Sequence, residues 1–149
     1  MKKIAKICVA VLAAAVFTMF AACSARSAVS ADDFQKQAKS AGFTVAAPAS
    51  DSSGASKSLT ATKDGTDVEV DFHQFADAAS AQNWYAEQKN TLTDGSAKNV
   101  VDSDAYNKYK LTNGEIFYEI VRMDNTAILC KTTTAKQSTA EGLLKSIRY

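Results

Sequence analysis

The chain has 149 residues, 17 basic and 16 acidic side chains, one histidine and three cysteines. Its charges are scattered, with no basic stripe, which argues against a nucleic-acid footprint. A single histidine and so few cysteines leave no material for an ordinary zinc site or a disulfide framework.

The chain opens with MKKIAKICVAVLAAAVFTMFAAC. Lys2, Lys3 and Lys6 form a positive start, and residues 7–22 carry no charge. That run is short for a bilayer-spanning helix, which needs roughly 20 apolar residues. A charged start, an apolar centre and a small-residue exit describe a secretory signal. Phe20, Ala21 and Ala22 stand directly before Cys23, and FAAC resembles the lipobox of bacterial lipoprotein precursors. The resemblance implies cleavage before Cys23 and acylation of its thiol. Phe20 departs from the usual leucine. Two readings stay open beside it: an ordinary secretory signal releasing a secreted protein, and an uncleaved anchor. The expected organisation is a signal peptide over residues 1–22, a lipidated Cys23 with a short tether to residue 30, and one domain over 31–149.

Loss of the three leading lysines leaves fourteen basic residues against sixteen acidic ones, a mature net charge of about −2. Cys8 leaves with the signal, so Cys130 is the one cysteine remaining in the folded part. It lies in an apolar stretch and is expected to be an inert buried thiol.

SADDFQKQAKSAGF predicts a helix capped by Ser30, with Asp32 and Asp33 in its first turn. FTVA follows as a short strand, and APASDSSGAS as a loop. KSLTATKDGTDVEVDF predicts a hairpin turning at Asp64-Gly65 as a two-residue type I′ turn. That register pairs Lys63 with Thr66, Ala61 with Val68 and Leu59 with Val70. On the other face it pairs Thr62 with Asp67, Thr60 with Glu69 and Ser58 with Asp71. A helix capped by Asp77 comes next, then a loop over TDGSAKN and a strand opening at Val100-Val101. YNKYKLTNGEIFYEIV predicts a second hairpin at Asn113-Gly114, with Leu111 opposite Ile116, Tyr109 opposite Tyr118 and Lys108 opposite Glu119. Asp124-Asn125 predicts a third turn. Apolar residues on both faces of IFYEIVRM predict a sheet covered on both sides. STAEGLLKSIRY closes as a helix with a Ser138–Glu141 capping box.

These elements predict an α+β domain: a mainly antiparallel sheet of about five to seven strands with three helices packed against it. FAAC, the ADDFQKQAKSAGFTV helix-to-strand, YNKYKLTNGEIFYEIVRMDNTAIL and LLKSIRY together resemble small bacterial lipoproteins of uncharacterised function. The layout is also similar to the sheets of PsbP-like domains, a likeness of fold that transfers no function.

The chemistry-bearing residues are few. Asp67, Glu69, Asp71 and His73 share one face of a strand by their two-residue spacing. They offer a patch for a cation or a basic partner, or simply a solvated face with His73 as an ordinary exposed imidazole. Ligands strung along one strand do not converge on one ion, so no metal site is assigned. No serine stands in a nucleophile-elbow pattern and no glycine-rich phosphate loop exists, so no catalytic residue and no cofactor is assigned. Tyr106, Tyr109, Phe117 and Tyr118 cluster on the second hairpin, as core or as a stacking platform. The expected role is a lipid-anchored extracytoplasmic binding module. Its partners would be the membrane, through Cys23, and an envelope protein or small ligand, with no nucleic acid. The alternatives are an envelope enzyme with an unrecognised site, or a structural or inhibitory accessory subunit.

Overall fold

The computed structural model describes residues 26–65, 67–92 and 95–149, with the side chain of Asn99 left out. The expected signal peptide over residues 1–22 and Cys23 lie outside the described residues. The elements run α1 (Ala31–Ser40), β1 (Thr44–Ala46), β2 (Lys57–Thr62), β3 (Glu69–Gln74), α2 (Ala78–Thr91), β4 (Ser96–Asp102), β5 (Tyr106–Asn113), β6 (Ile116–Met123) and β7 (Thr126–Thr133). A 3₁₀ turn, Thr134–Lys136, leads into α3 (Gln137–Ser146). Among the described residues, seven strands make one sheet in the order β1-β2-β3-β7-β6-β5-β4. Every neighbouring pair is antiparallel. The fold is therefore α+β.

The alternation of apolar residues builds a core on each side of the sheet. Leu59, Ala61, Val70, Phe72, Ile128, Cys130, Val121 and Met123 point to one face, where Phe34 and Ala38 of α1 and Leu143, Leu144 and Ile147 from α3 and its end close over them. Tyr109, Leu111, Ile120 and Ala127 point to the other, beneath Ala81, Trp84 and Tyr85 of α2. The caps form as the sequence predicts at two helices. Ser30 Oγ accepts from the Asp33 amide at 3.1 Å, and Asp77 Oδ1 from the Ser80 amide at 2.7 Å. The Ser138–Glu141 capping box does not form. The helix begins two residues earlier than that cap would place it, at Gln137 with Lys136 as its N-cap, and Glu141 instead accepts from Lys110 Nζ at 2.6 Å and from Gln137 at 2.9 Å.

Both predicted hairpin registers are off by two residues. Leu59 pairs with Phe72 and Ala61 with Val70, so the polar pairs become Ser58–His73, Thr60–Asp71 and Thr62–Glu69. The turn is longer than two residues: the Lys63 amide bonds the Val68 carbonyl, and Gly65 has φ 67° while Asp64 stays out of the left-handed region. In the second hairpin Asn113 pairs with Ile116 and Leu111 with Tyr118. Gly114 and Glu115 form the turn, with φ 58° at Gly114 alone, the pattern of a II′ turn. A slip of two leaves every side chain on its expected face, so apolar alternation cannot detect it. The Asp124-Asn125 turn stands where predicted, joining Met123 to Thr126. β4 starts at Ser96, within the expected loop, and its pairing with β5 is broken by a bulge between Asn99 and Val101.

Candidate functional site

One helix is roughly 10 Å across and strands lie about 4.8 Å apart, so a helix covers two or three strands. On the first face α1 and α3 share the sheet. On the second, α2 alone packs across β6 and β7. The second face of β1, β2 and the Glu69 end of β3 therefore has no helix over it, α2 reaching β3 only with Trp84 at His73, and its residues are polar: Ser58, Thr60 and Thr62 on β2, Glu69, Asp71 and His73 on β3.

Three hollows with shared walls make this uncovered strip a trough. The first, of about 470 Å³, is lined by Thr62, Asp67, Glu69, Ile116 and Lys131 among others. The second, of about 380 Å³, lies between β1, the chain at 46–50, and Thr60, Glu69 and Asp71. The third, of about 250 Å³, is closed by Pro48 and Asp51–Ser53 on one side and by Trp84, Glu87 and Gln88 of α2 on the other, with Asp71 and His73 on its floor. Glu69 and Asp71 are each shared by two hollows. Asp67 to His73 spans about 20 Å of chain at 3.4 Å per residue. The four residues singled out in the sequence all line this trough. Across the three hollows the charged lining is Asp51, Asp67, Glu69, Asp71 and Glu87 against Lys131, with His73 beside them.

The stripe is not uniform. Asp67 and Glu69 are exposed, Asp71 is half-buried and His73 is 9% exposed. The expectation of an ordinary exposed imidazole fails, because Trp84 of α2 lies over the ring at 4.7 Å between centroids. Burial pushes the imidazole pKa down, against the pull of Asp51, and so favours the neutral ring. Burial likewise pushes Asp71 up, opposed by the Thr60 hydroxyl, which donates to Oδ1 at 2.6 Å. Asp51 goes the other way, to about 2, held by hydrogen bonds from the Ser53 and Ser58 hydroxyls and the Ser53 amide.

Ser58 Oγ also lies 2.8 Å from His73 Nδ1. With the Ser58 hydroxyl given to Asp51, whose carboxyl pKa it lowers, the ring would carry its proton on Nδ1 and present Nε2 as a lone-pair acceptor. No group of the chain bonds Nε2 among the described residues. The site thus offers carboxylates and an imidazole acceptor to a ligand that brings N–H donors. Among the described residues no three metal-ligating side chains converge.

Asp51, Trp84 and Glu87 come from segments that the sequence assigned to a loop and a helix. Only Asp51-x-Ser53 carried a signal, the side-chain-to-backbone pattern of an Asx turn. The aromatic platform does not form. Tyr109 belongs to the α2 core, Tyr106 packs against the other core, and Phe117 and Tyr118 alternate on β6. Cys130 is fully buried and its thiol is pushed up to about 12, chiefly by burial.

No family model and no curated protein matches the chain. Among solved structures it is similar to a GTP-binding regulator from Thermotoga maritima, with 9% identity over 80% of this chain and 87% of that one and a TM-score of 0.57. That likeness is one of fold.

Proposed function

We propose that the chain is a lipid-anchored extracytoplasmic binding module, acylated at Cys23, whose trough takes an extended basic segment of an envelope protein. The observation that carries the ligand reading is the strip along β3 and the residues just before it, where Asp67, Glu69 and Asp71 line neighbouring hollows that share walls. Alternate side chains of an extended peptide repeat at about 7 Å, the same spacing as alternate carboxylates along the strand. Lysine or arginine side chains at every second position meet that row in register, and neutral Nε2 of His73 accepts an N–H at its end. A shallow open trough suits a strand-like peptide better than a small molecule, which binds in a deeper, mostly apolar pocket. The anchor reading is supported by the FAAC sequence at the end of an uncharged run. No helix of the described residues is long and apolar enough to cross a membrane.

Titration of the detergent-solubilised, lipidated protein with hexalysine tests the ligand. Heat of binding at low salt is expected, falling with added salt and weakened about tenfold in Asp71→Asn, a loss of about 1.4 kcal/mol. No binding, or equal binding by Asp71→Asn, rejects the trough as its site. The anchor is tested separately: Cys23→Ser is expected to leave the membrane fraction or to remain unprocessed. A variant with unchanged mass and unchanged membrane partition rejects lipidation.

A further inference from the structure

Residues 26–29 are seated on the domain. The Arg26 guanidinium lies over the Tyr106 ring, 5.1 Å from its centroid. Ala28 and Val29 pack against the core beneath α1 and α3. The Val29 backbone hydrogen-bonds the buried Tyr149 phenol, which also meets the Thr126 hydroxyl. Ser27 and Val29 face the turn Ser146–Arg148 across a small hollow. Ser24 and Ala25 are all that separates Cys23 from Arg26. Three Cα steps reach at most about 11 Å.

From this we propose that the domain is held against the lipid headgroups by the end of the sheet carrying Arg26, Tyr106 and Arg148, with the end carrying Ile116 and Glu69 turned away. The proposal rests on lipidation at Cys23. A lipid on that residue fixes its Cα at the membrane interface, so Arg26 and its neighbours lie within about 11 Å of it. Tyr106 pairs with Met123 and, through Thr126, aligns with Gln74, so the His73 end of the trough lies at this end, whereas Asp67, Glu69 and Ile116 border it at the other end of the same strands. The eight residues of β6 separate the two ends by about 24 Å. A free tether of many residues would let the domain turn over; two residues joined to a seated segment do not. Arg26, Lys145 and Arg148 share this end with Asp104 and Asp124, so the chain length rather than charge sets the orientation.

The full lipidated protein in phosphatidylethanolamine–phosphatidylglycerol vesicles provides the test. A fluorophore is placed on Arg148→Cys or on Glu115→Cys, and a headgroup nitroxide serves as quencher. Cys130 stays unlabelled because it is buried with its thiol pushed up to about 12. Strong quenching at Arg148→Cys and little at Glu115→Cys is expected, at low and at raised salt. A spacer of about twelve Gly and Ser residues inserted between Ala25 and Arg26 is expected to erase the difference. Equal quenching at both positions in protein that floats with the vesicles overturns the orientation while leaving the anchor intact. Protein that does not float with them overturns the anchor, and the orientation falls with it.

Discussion

The two faces of the sheet solve the same problem with different means. The face under α1 and α3 is closed: the inward residues of β2, β3, β7 and β6 are apolar up to Glu119, and Phe34 of α1 stacks on Phe72 at 4.7 Å between centroids. The face under α2 is apolar only where that helix reaches, over Tyr109, Leu111, Ile120 and Ala127. Beyond it, on β2 and β3, the same pleat presents Ser58, Thr60 and Asp71, with His73 at the edge under Trp84. Adjacent residues of β3 thus serve opposite ends, Phe72 holding the fold and Asp71 and His73 lining a trough. One strand supplies both because neighbouring side chains point to opposite faces.

The sharpest way to break this contrast is to truncate neighbours on β3. Phe72 is fully buried. Phe72→Ala is expected to destabilise the domain by about 3–5 kcal/mol, the range for a buried aromatic truncated to alanine. Asp71→Asn, one residue away, keeps an oxygen for the Thr60 hydroxyl and removes a carboxylate that burial already disfavours. It is expected to change stability by under about 1 kcal/mol. Urea midpoints of the two variants decide the matter. Equal losses would mean that the trough floor is part of the fold's support and not a surface left free for a ligand.

Each face also buries one charge, and the two are handled differently. Glu119, fully buried on the α3 side, lies 2.7 Å from Lys108 Nζ and 3.6 Å from Lys110 Nζ, and Lys110 reaches on to Glu141. Arg122, 1% exposed on the α2 side, has no carboxylate bonded to it among the described residues. Its Nε donates to Asn107 Oδ1 at 2.6 Å, and its terminal nitrogens donate to the carbonyls of Ser103, Asp104 and Asp124. The guanidinium therefore ties the turn before β5 to the end of β6. Arg122→Met fills much of the volume but leaves Asn107 and those carbonyls unpaired. A loss of about 2–4 kcal/mol is expected, by the cost of orphaning several buried acceptors. Faster amide exchange at residues 103–107 would locate the effect, and unchanged exchange there would reject the tie.

The sequence made the faces legible but not the registers. Alternation in TATKDGTDVEVDF assigned Asp71 and His73 to one side and Val70 and Phe72 to the other, and a two-residue slip left that assignment intact. The slip itself depends on how many residues the turn consumes. A glycine at 65 or 114 signals a turn without fixing its length. The burial of His73 was out of reach for another reason. It depends on Trp84 and on the chain at 48–53 arriving over β3, and no local pattern encodes where a helix ten residues downstream will lie. Trp84 belongs to the core under α2; its edge toward the trough needed the third dimension.

The smallest expected effect is a pH dependence confined to the α2 face. Burial lowers the His73 pKa in the folded state below its unfolded value. The unfolded chain then binds the proton more readily, so stability is full above the unfolded pKa of about 6.5 and declines as pH falls toward the folded value. The groups facing the ring are Asp51 from the loop, Asp71 on the same strand and Glu87 from α2, all lining the same hollow. Asp71, raised by burial, acts in the opposite sense at lower pH, because protonation is easier in the folded state. Asp51, lowered to about 2, withdraws its stabilisation only as pH drops below the ordinary carboxylate range. Between pH 7 and 5 the imidazole therefore dominates, and a shallow fall in melting temperature is expected across that window. His73→Phe, which suits the contact with Trp84 and cannot titrate, is expected to flatten it. Hexalysine binding by the native protein adds a second reading of the same group. Protonation turns Nε2 from acceptor to donor, so affinity should drop as pH falls from 7 to 5, and a rise instead would remove the imidazole from the site.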